Sequence, residues 1–262
     1  MRKLAITGEP VQSAVQRAIE TMREHYREPI SLEDLADAAI LSRFYFSRIF
    51  REVTGTSPGR FLSAVRLDAA KNLLRDTDTS VTEISYVVGY NSTGTFTSRF
   101  TGSVGMAPTR YRDYAQSGLA SWLPPSPAPD PARSTVHGRV TAPLAPTTLA
   151  RVYVGAFGSA IPEGRPVSCD VLADIGLRYR LNGLPDGRWY VRAAGFELGD
   201  LPLHAVRRRL LVGTGPTITA RAGRVVEVDI ELRDAGIFDP PVLLALPDLD
   251  GRTRSGALEA VV

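Results

Sequence analysis

A block of the first half of this chain occurs twice, and that repeat limits what the half can fold into more than any other feature. Phe46, Phe50, Gly55, Pro58, Arg60 and Phe61 return fifty positions on as Phe96, Phe100, Gly105, Pro108, Arg110 and Tyr111. Upstream, Ser31, Leu32, Asp34 and Leu35 are answered at an offset of forty-nine by Ser80, Val81, Glu83 and Ile84. Each copy reads as a cap, a short helix, a turn and a second helix, the outline of a helix-turn-helix unit. Two such units in tandem predict an all-helical N-terminal domain.

The second helix of the first copy is the most informative stretch. Over Ser42 to Val53, the residues Phe46, Ile49, Phe50 and Val53 fall at helical spacing and form an inward stripe, with Arg43, Phe44, Ser47, Arg48 and Arg51 on the opposite side. Ser42 suits an N-cap and Gly55 a C-terminal stop. Three arginines on a short helix fit an ordinary solvated face or a polyanion, and the duplication of the unit favours DNA as the polyanion.

Around the repeat, helical periodicity continues. Val11, Val15, Ala18, Ile19 and Met22 give Val11 to Tyr26 an apolar face, and Pro29 ends that helix. Ser31 caps the next, with Glu33 and Asp34 in its first turn where the helix dipole favours negative charge. Leu35, Ala36 and Ala39 are its inward residues, and Ile40 with Leu41 makes the turn. From Pro58, Phe61, Leu62, Val65, Ala69, Leu73 and Leu74 predict a buried spine ending near Arg75. Such a spine is roughly 27 Å long at 1.5 Å per residue, and successive major-groove segments lie about 34 Å apart. In the second copy Ile84, Val87 and Val88 are the inward residues of the support helix, and Phe96 and Phe100 those of the reading helix.

In this register the chain resembles the DNA-binding domain of the AraC/XylS family of bacterial transcription regulators. The resemblance covers about residues 11 to 115. It is carried by Leu35-Ala36, Leu41-Ser42, Phe46-Ser47-Arg48-Ile49-Phe50-Arg51, Gly55-Thr56-Ser57-Pro58, Arg66-Leu67, Ala70, Leu73-Leu74, Ile84, Gly89-Tyr90, Phe96, Phe100, Gly105, Pro108 and Tyr111-Arg112. The resemblance implies seven helices that bind double-stranded DNA through two adjacent major-groove segments. By position, it implies base-facing roles for Arg43, Phe44, Ser47 and Arg48 in the first head and for Thr93, Gly94, Thr97 and Ser98 in the second. Ser42, Arg51, Arg99, Arg110 and Arg112 are the phosphate candidates. The second head departs from the family pattern, because its arginine, Arg99, aligns with the inward Ile49 and must snorkel to reach outward. Gly94 and Gly102 also weaken its helix by about 1 kcal/mol each relative to Ala. The first head is therefore expected to be the more selective.

From Ser117 the composition shifts to Pro124, Pro125, Pro127, Pro129 and Pro131 among small residues, which predicts an extended linker. Beyond it the period becomes two. Val136, Gly138 and Val140 alternate with polar residues, as do Val152 and Val154, Val167, Cys169 and Val171, and Leu177, Tyr179 and Leu181. Val226, Val228, Ile230 and Leu232 alternate with acidic residues in the clearest strand. The expectation is an all-β sandwich of several strands. The phrase Gly176 to Val191, built on Gly183-Leu184-Pro185-Asp186-Gly187 and Tyr190, resembles the carboxypeptidase-regulatory or prealbumin-like sandwiches, a resemblance that brings no catalytic residues.

The expected division is a lead over 1–10, a DNA-binding domain over 11–116, a linker over 117–134, a sandwich over 135–250 and a tail over 251–262. The 262 residues suffice for two cores. A net charge of +3 is too small to argue nucleic-acid binding globally, so the case rests on where the arginines sit. Cys169 is the lone cysteine and His25, His137 and His204 the histidines. None stands at ligand spacing, so no metal, cofactor or catalytic constellation is expected. No glycine-rich phosphate loop occurs at a strand-to-helix junction. Without a long apolar run, the expectation is a non-membrane, cytoplasmic, nucleoid-associated protein. Arg207, Arg208 and Arg209 form a second basic cluster, read as a charged strand edge or as an anion or DNA contact. Two functions stay open: a transcription regulator whose sandwich meets a small-molecule or protein effector, with RNA polymerase a candidate partner, or an enzyme or carbohydrate-binding protein with an appended DNA-binding domain.

Overall fold

A computed structural model describes residues 9–117, 126–142, 149–173, 176–197 and 209–246. Among the described residues seven helices are followed by eight strands, and the chain divides into two compact units. Outside the described residues lie most of the lead, the first part of the linker, the tail, His204, Arg207 and Arg208.

The helical unit contains α1 (Glu9–His25), α2 (Leu32–Ala38), α3 (Arg43–Thr54), α4 (Pro58–Asp76), α5 (Val81–Val87), α6 (Thr93–Val104) and α7 (Pro108–Ser117). Ala14, Val15, Ala18, Ile19 and Met22 of α1 join Leu35, Ala36, Ala39, Phe46, Ile49, Phe50 and Phe61 in the first core. The duplication persists in side-chain geometry. Phe50 meets Phe61 edge-on at 5.5 Å between ring centroids, and Phe100 meets Tyr111 edge-on at 5.7 Å. Gly55 and Gly105 end the two reading helices at φ +73° and +91°, a left-handed conformation that favours glycine.

Two predicted inward sets and one predicted cap need correction. In α5 the buried residues are Ile84 and Ser85, with Val88 just beyond, while Val87 is exposed. The helix has only two turns and repeats the geometry of Leu35, Ala36 and Ala39, so small Ser85 takes the place of Ala36. In α4, Leu67, Ala70 and Lys71 are buried whereas Ala69 and Leu73 are half-buried. Ser42 occupies the N-cap of α3, yet its hydroxyl makes no capping bond.

Arginines hold the helix ends together. Arg17 donates to Ala38 O and Ala39 O (3.2 and 3.1 Å), closing α2. Arg66 donates to Tyr26 O and Glu28 O, both at 2.7 Å, beyond the end of α1. Cationic donors suit C-terminal carbonyls, which carry the negative end of the helix dipole. Ala160–Arg165 and Gly236–Ala245, from the strand-rich half of the sequence, also belong to the helical unit.

The other unit holds β1 (Ser134–Thr141), β2 (Leu149–Phe157), β3 (Ser168–Leu172), β4 (Arg178–Leu184), β5 (Gly187–Glu197), β6 (Arg209–Ala220), β7 (Val225–Glu227) and β8 (Ile230–Asp234). In place of two facing sheets, they form one sheet in the order β3-β2-β5-β6-β8-β1-β4, with β7 beside β1. The two end strands approach each other: Arg180 N on β4 donates to the Asp170 carboxylate on β3 at 2.9 Å, so the sheet is nearly a barrel. Val136, Val154, Leu181, Val191 and Ile230 are among its core residues.

Register explains a misread strand. β3 pairs with β2 without interruption, Leu172 opposite Val152 and Ser168 opposite Ala156, so Leu172 shares the core face with Val152 and Ala156 while Val171, expected inward, is exposed. Leu177, expected inward, lies outside β4 and is exposed. The clear alternation from Val226 to Leu232 divides into β7 and β8, both parallel to β1 in one register, and at the gap between them Arg139 N donates to the Asp229 carboxylate (2.8 Å). A Cβ on Gly138 would stand 2.0 Å from Val228 O, so only glycine permits that close approach. Ser126 and Pro127, within the expected linker, are fastened to the sheet: Asn182 N donates to Ser126 Oγ (2.9 Å) and Asn182 Nδ2 to Pro127 O (3.0 Å).

Candidate nucleic-acid interface

The candidate surface begins with the turn that presents α3. Ser31 accepts from Asp34 N (3.1 Å) and its own N–H donates to the Asp34 carboxylate (2.8 Å), a reciprocal cap that starts α2. The Ser31 hydroxyl also donates to that carboxylate (2.7 Å), and this bond, followed by the one from the Ser31 N–H, holds the Asp34 carboxyl below its ordinary value. Leu35 and Ala36 then anchor α2, and Ile40 turns the chain at φ +59° so that α3 leaves with Phe46, Ile49 and Phe50 buried.

With that face fixed, the opposite one is solvent-exposed by geometry. Arg43, Phe44, Arg48 and Arg51 are exposed and Ser47 is half-buried. Phe44 is 92% exposed, an aromatic ring with almost no protein partner on its faces. Arg43 lies 3.7 Å from Glu33 of the support helix. The Arg48 guanidinium stacks over Tyr45 at 5.2 Å from the ring centroid, which restricts its rotamers while leaving its N–H groups outward. Tyr45 was missed in the sequence because it belongs neither to the apolar stripe nor to the arginine face.

The second copy is built alike but chemically poorer. Ser80 caps α5 by accepting from Glu83 N (3.1 Å), and Ser92 caps α6 by accepting from Thr95 N (3.2 Å). Gly94 and Ser98 are exposed and Thr97 is half-buried. Thr93 is half-buried and its hydroxyl lies 3.2 Å from that of buried Ser85. Arg99 is exposed although its counterpart Ile49 is buried. Arg110 is exposed as well. Arg112, a phosphate candidate, is half-buried and donates to Leu74 O (3.3 Å) and Thr79 O, so its guanidinium closes the end of α4.

The arrangement is a pair of helix-turn-helix units, each presenting a short polar helix face. Residues 35–114 match the family model of a helix-turn-helix domain. Similar curated proteins include the uncharacterized HTH-type transcriptional regulator YdeC of Bacillus subtilis, 40% identical over 88 residues, 34% of this chain and 30% of the relative. They also include the transcriptional activator RhaS of Enterobacter sp., 34% identical over 37% of this chain and 35% of the relative, and the melibiose operon regulatory protein of Escherichia coli, 30% identical over 40% and 35%. The chain thus spans about a third of the length of these relatives. Similar solved structures include the DNA-binding domain of AdpA in complex with a target DNA, 32% identical, covering 42% of this chain and 96% of that one at TM-score 0.37. An AraC-type regulator from Chromobacterium violaceum is 26% identical, covering 43% and 100% at TM-score 0.40. Residues 35–114 are a helix-turn-helix domain. Among the described residues, no helix is long and apolar enough to cross a membrane.

Proposed function

We propose that this chain is a sequence-specific DNA-binding transcription regulator of the AraC/XylS type, reading two adjacent major-groove segments of double-stranded DNA. The observation that carries the reading is the outward face of α3, where Arg43, Phe44, Arg48 and Arg51 stand exposed on a helix whose other face is locked into a core. A bidentate arginine and an exposed ring are the side-chain chemistry that reads guanine edges and thymine methyl groups. The relatives that share this segment carry the names of transcription regulators.

Arg43, Phe44, Ser47 and Arg48 face the bases of the first segment, and Thr93, Gly94, Thr97 and Ser98 those of the second. Ser42, Arg51, Arg99 and Arg110 meet phosphates, with the uncapped Ser42 hydroxyl available for that contact. Arg112 acts from within, holding α4. The protein is a non-enzymatic, cytoplasmic regulator. Its strand-rich unit is an accessory module that meets a small-molecule or protein effector, and RNA polymerase is the partner at the promoter. Mapping the chromosomal sites that the full chain occupies tests this: discrete sites upstream of genes are expected, and uniform occupancy would contradict it.

A further inference from the structure

We propose that Lys71 and Glu163 are positioning residues that fix the separation of the two reading helices, each by fastening an inserted segment across both halves of the helical unit. The proposal rests on the reading of that unit as a two-headed DNA binder.

The first half of the unit closes its own core from Ala14 to Val65. In the second, Tyr90, Phe96, Phe100 and Tyr111 form a separate chain of ring contacts. α4 runs between them, and Arg66 reaches from it to the end of α1. Five residues further along, about 140° round the helix, Lys71 is fully buried. An ammonium out of water requires acceptors, and here they come from an inserted segment: Nζ donates to Val242 O (3.0 Å) and Leu244 O (2.8 Å). The same ammonium lies 5.9 Å from the centroid of Tyr111 on α7. Leu243 and Ala245 beside these carbonyls are buried. Earlier in the segment, Ile237 and Phe238 pack against the first core, and Arg23 on α1 donates to Ile237 O (3.4 Å). Gly236–Ala245 therefore runs from the first half to the second.

Glu163 makes a second tie of the same kind. One carboxylate oxygen accepts from Arg60, in the first turn of α4, and the other from Ser103 Oγ on α6 (3.2 Å). Gly164 N donates to Ser103 O at 2.5 Å. Gly164 has φ +70°, and a Cβ there would lie 2.8 Å from Gly102 O. Its close seat against α6 admits glycine alone. Both segments thus join parts that α4 would otherwise couple through one helix, and the distance between the heads decides which pair of groove segments can be read at once.

The test uses the full chain in a Cys169→Ser background, with Glu52→Cys and Thr101→Cys at exposed positions of α3 and α6 carrying spin labels. Pulsed electron resonance should give one narrow distance for this parent and a broadened or shifted distribution for Lys71→Ala and for Glu163→Ala. In parallel, the parent and variants are titrated with duplexes whose two half-sites, recovered by selection from a random duplex library, are moved apart or together by single base pairs. The parent should bind one spacing, and the variants should lose that preference. Unchanged distances in both variants, or equal loss of affinity at every spacing, would overturn the proposal. If the parent binds no duplex, the DNA reading fails while the label distances still judge the ties. If Lys71→Ala does not fold, Glu163→Ala and the double variant Ile237→Ser, Phe238→Ser decide the matter by the same distances.

Discussion

Ile40 and Gly89 occupy the same point in the two helix-turn-helix turns, at φ +59° and +88°. Glycine is needed at Gly89 because a Cβ would stand 2.7 Å from Tyr26 O and 2.9 Å from Arg27 O. Isoleucine at Ile40 has open surroundings, being 79% exposed, but it bears the left-handed cost of about 1–2 kcal/mol for a side-chain-bearing residue. Ile40→Gly should therefore stabilise the helical unit by about 0.5–1 kcal/mol, the strain relieved less the entropy glycine adds to the unfolded chain. Gly89→Ala should destabilise it by about 2 kcal/mol or more, since two backbone oxygens must move. Urea unfolding followed by helical circular dichroism checks both, and a destabilised Ile40→Gly would contradict the first. At the interface, Arg48→Ala should relax base preference at one position of the first half-site by about 1–3 kcal/mol, while Ser98→Ala changes preference little at the second. Arg51→Ala should weaken all sequences alike and lower the salt slope by about one unit. Titration against singly substituted sites at two salt concentrations separates these outcomes; equal loss of discrimination from Arg48→Ala and Ser98→Ala would remove the ranking of the heads.

Among the elements, α2 depends most on pH. The Asp34 carboxyl is held low by Ser31, so the stability its charged form confers is complete above its ordinary value of 3.8 and is lost as pH falls through the depressed folded value. The gap in urea midpoint between the parent and Asp34→Ala should thus narrow on acidification through that window. A constant gap at all acidic pH values would contradict the capping account. Helices were the more legible elements, because Phe46, Ile49 and Phe50 must share one side of any helix that holds them, and the repeat fixed where each helix begins. The burial of Lys71 was not legible, since its acceptors, Val242 O and Leu244 O, are backbone atoms supplied from far along the sequence. Strand periodicity located Val136, Val140 and Leu181 in the core, but it carries no sign of which strand pairs with which. The face that β3 presents and the single, nearly closed sheet found in place of two facing ones depend on such pairings. For the candidate site, alternation with the buried stripe was enough to place Arg43, Phe44, Arg48 and Arg51 on the exposed side of α3. The stacking of Tyr45 and the inward engagement of Thr93 and Arg112 depend on side-chain contacts that residue spacing alone does not encode.

For the whole molecule, a net charge of +3 gives little long-range attraction to DNA, so in the proposed function selectivity rests on the two helix faces. α4, with 19 residues, spans roughly 28 Å at 1.5 Å per residue, close enough to the ~34 Å between successive major-groove segments that both heads can engage one side of a duplex. The measurement that tests this most directly is selection of bound sequences by the full chain from a random duplex library. The account predicts two blocks of base preference about 10 base pairs apart, the block under α3 sharper and containing a guanine whose selection is lost with Arg48→Ala. Recovery of a single block, or of no preferred sequence, would contradict it.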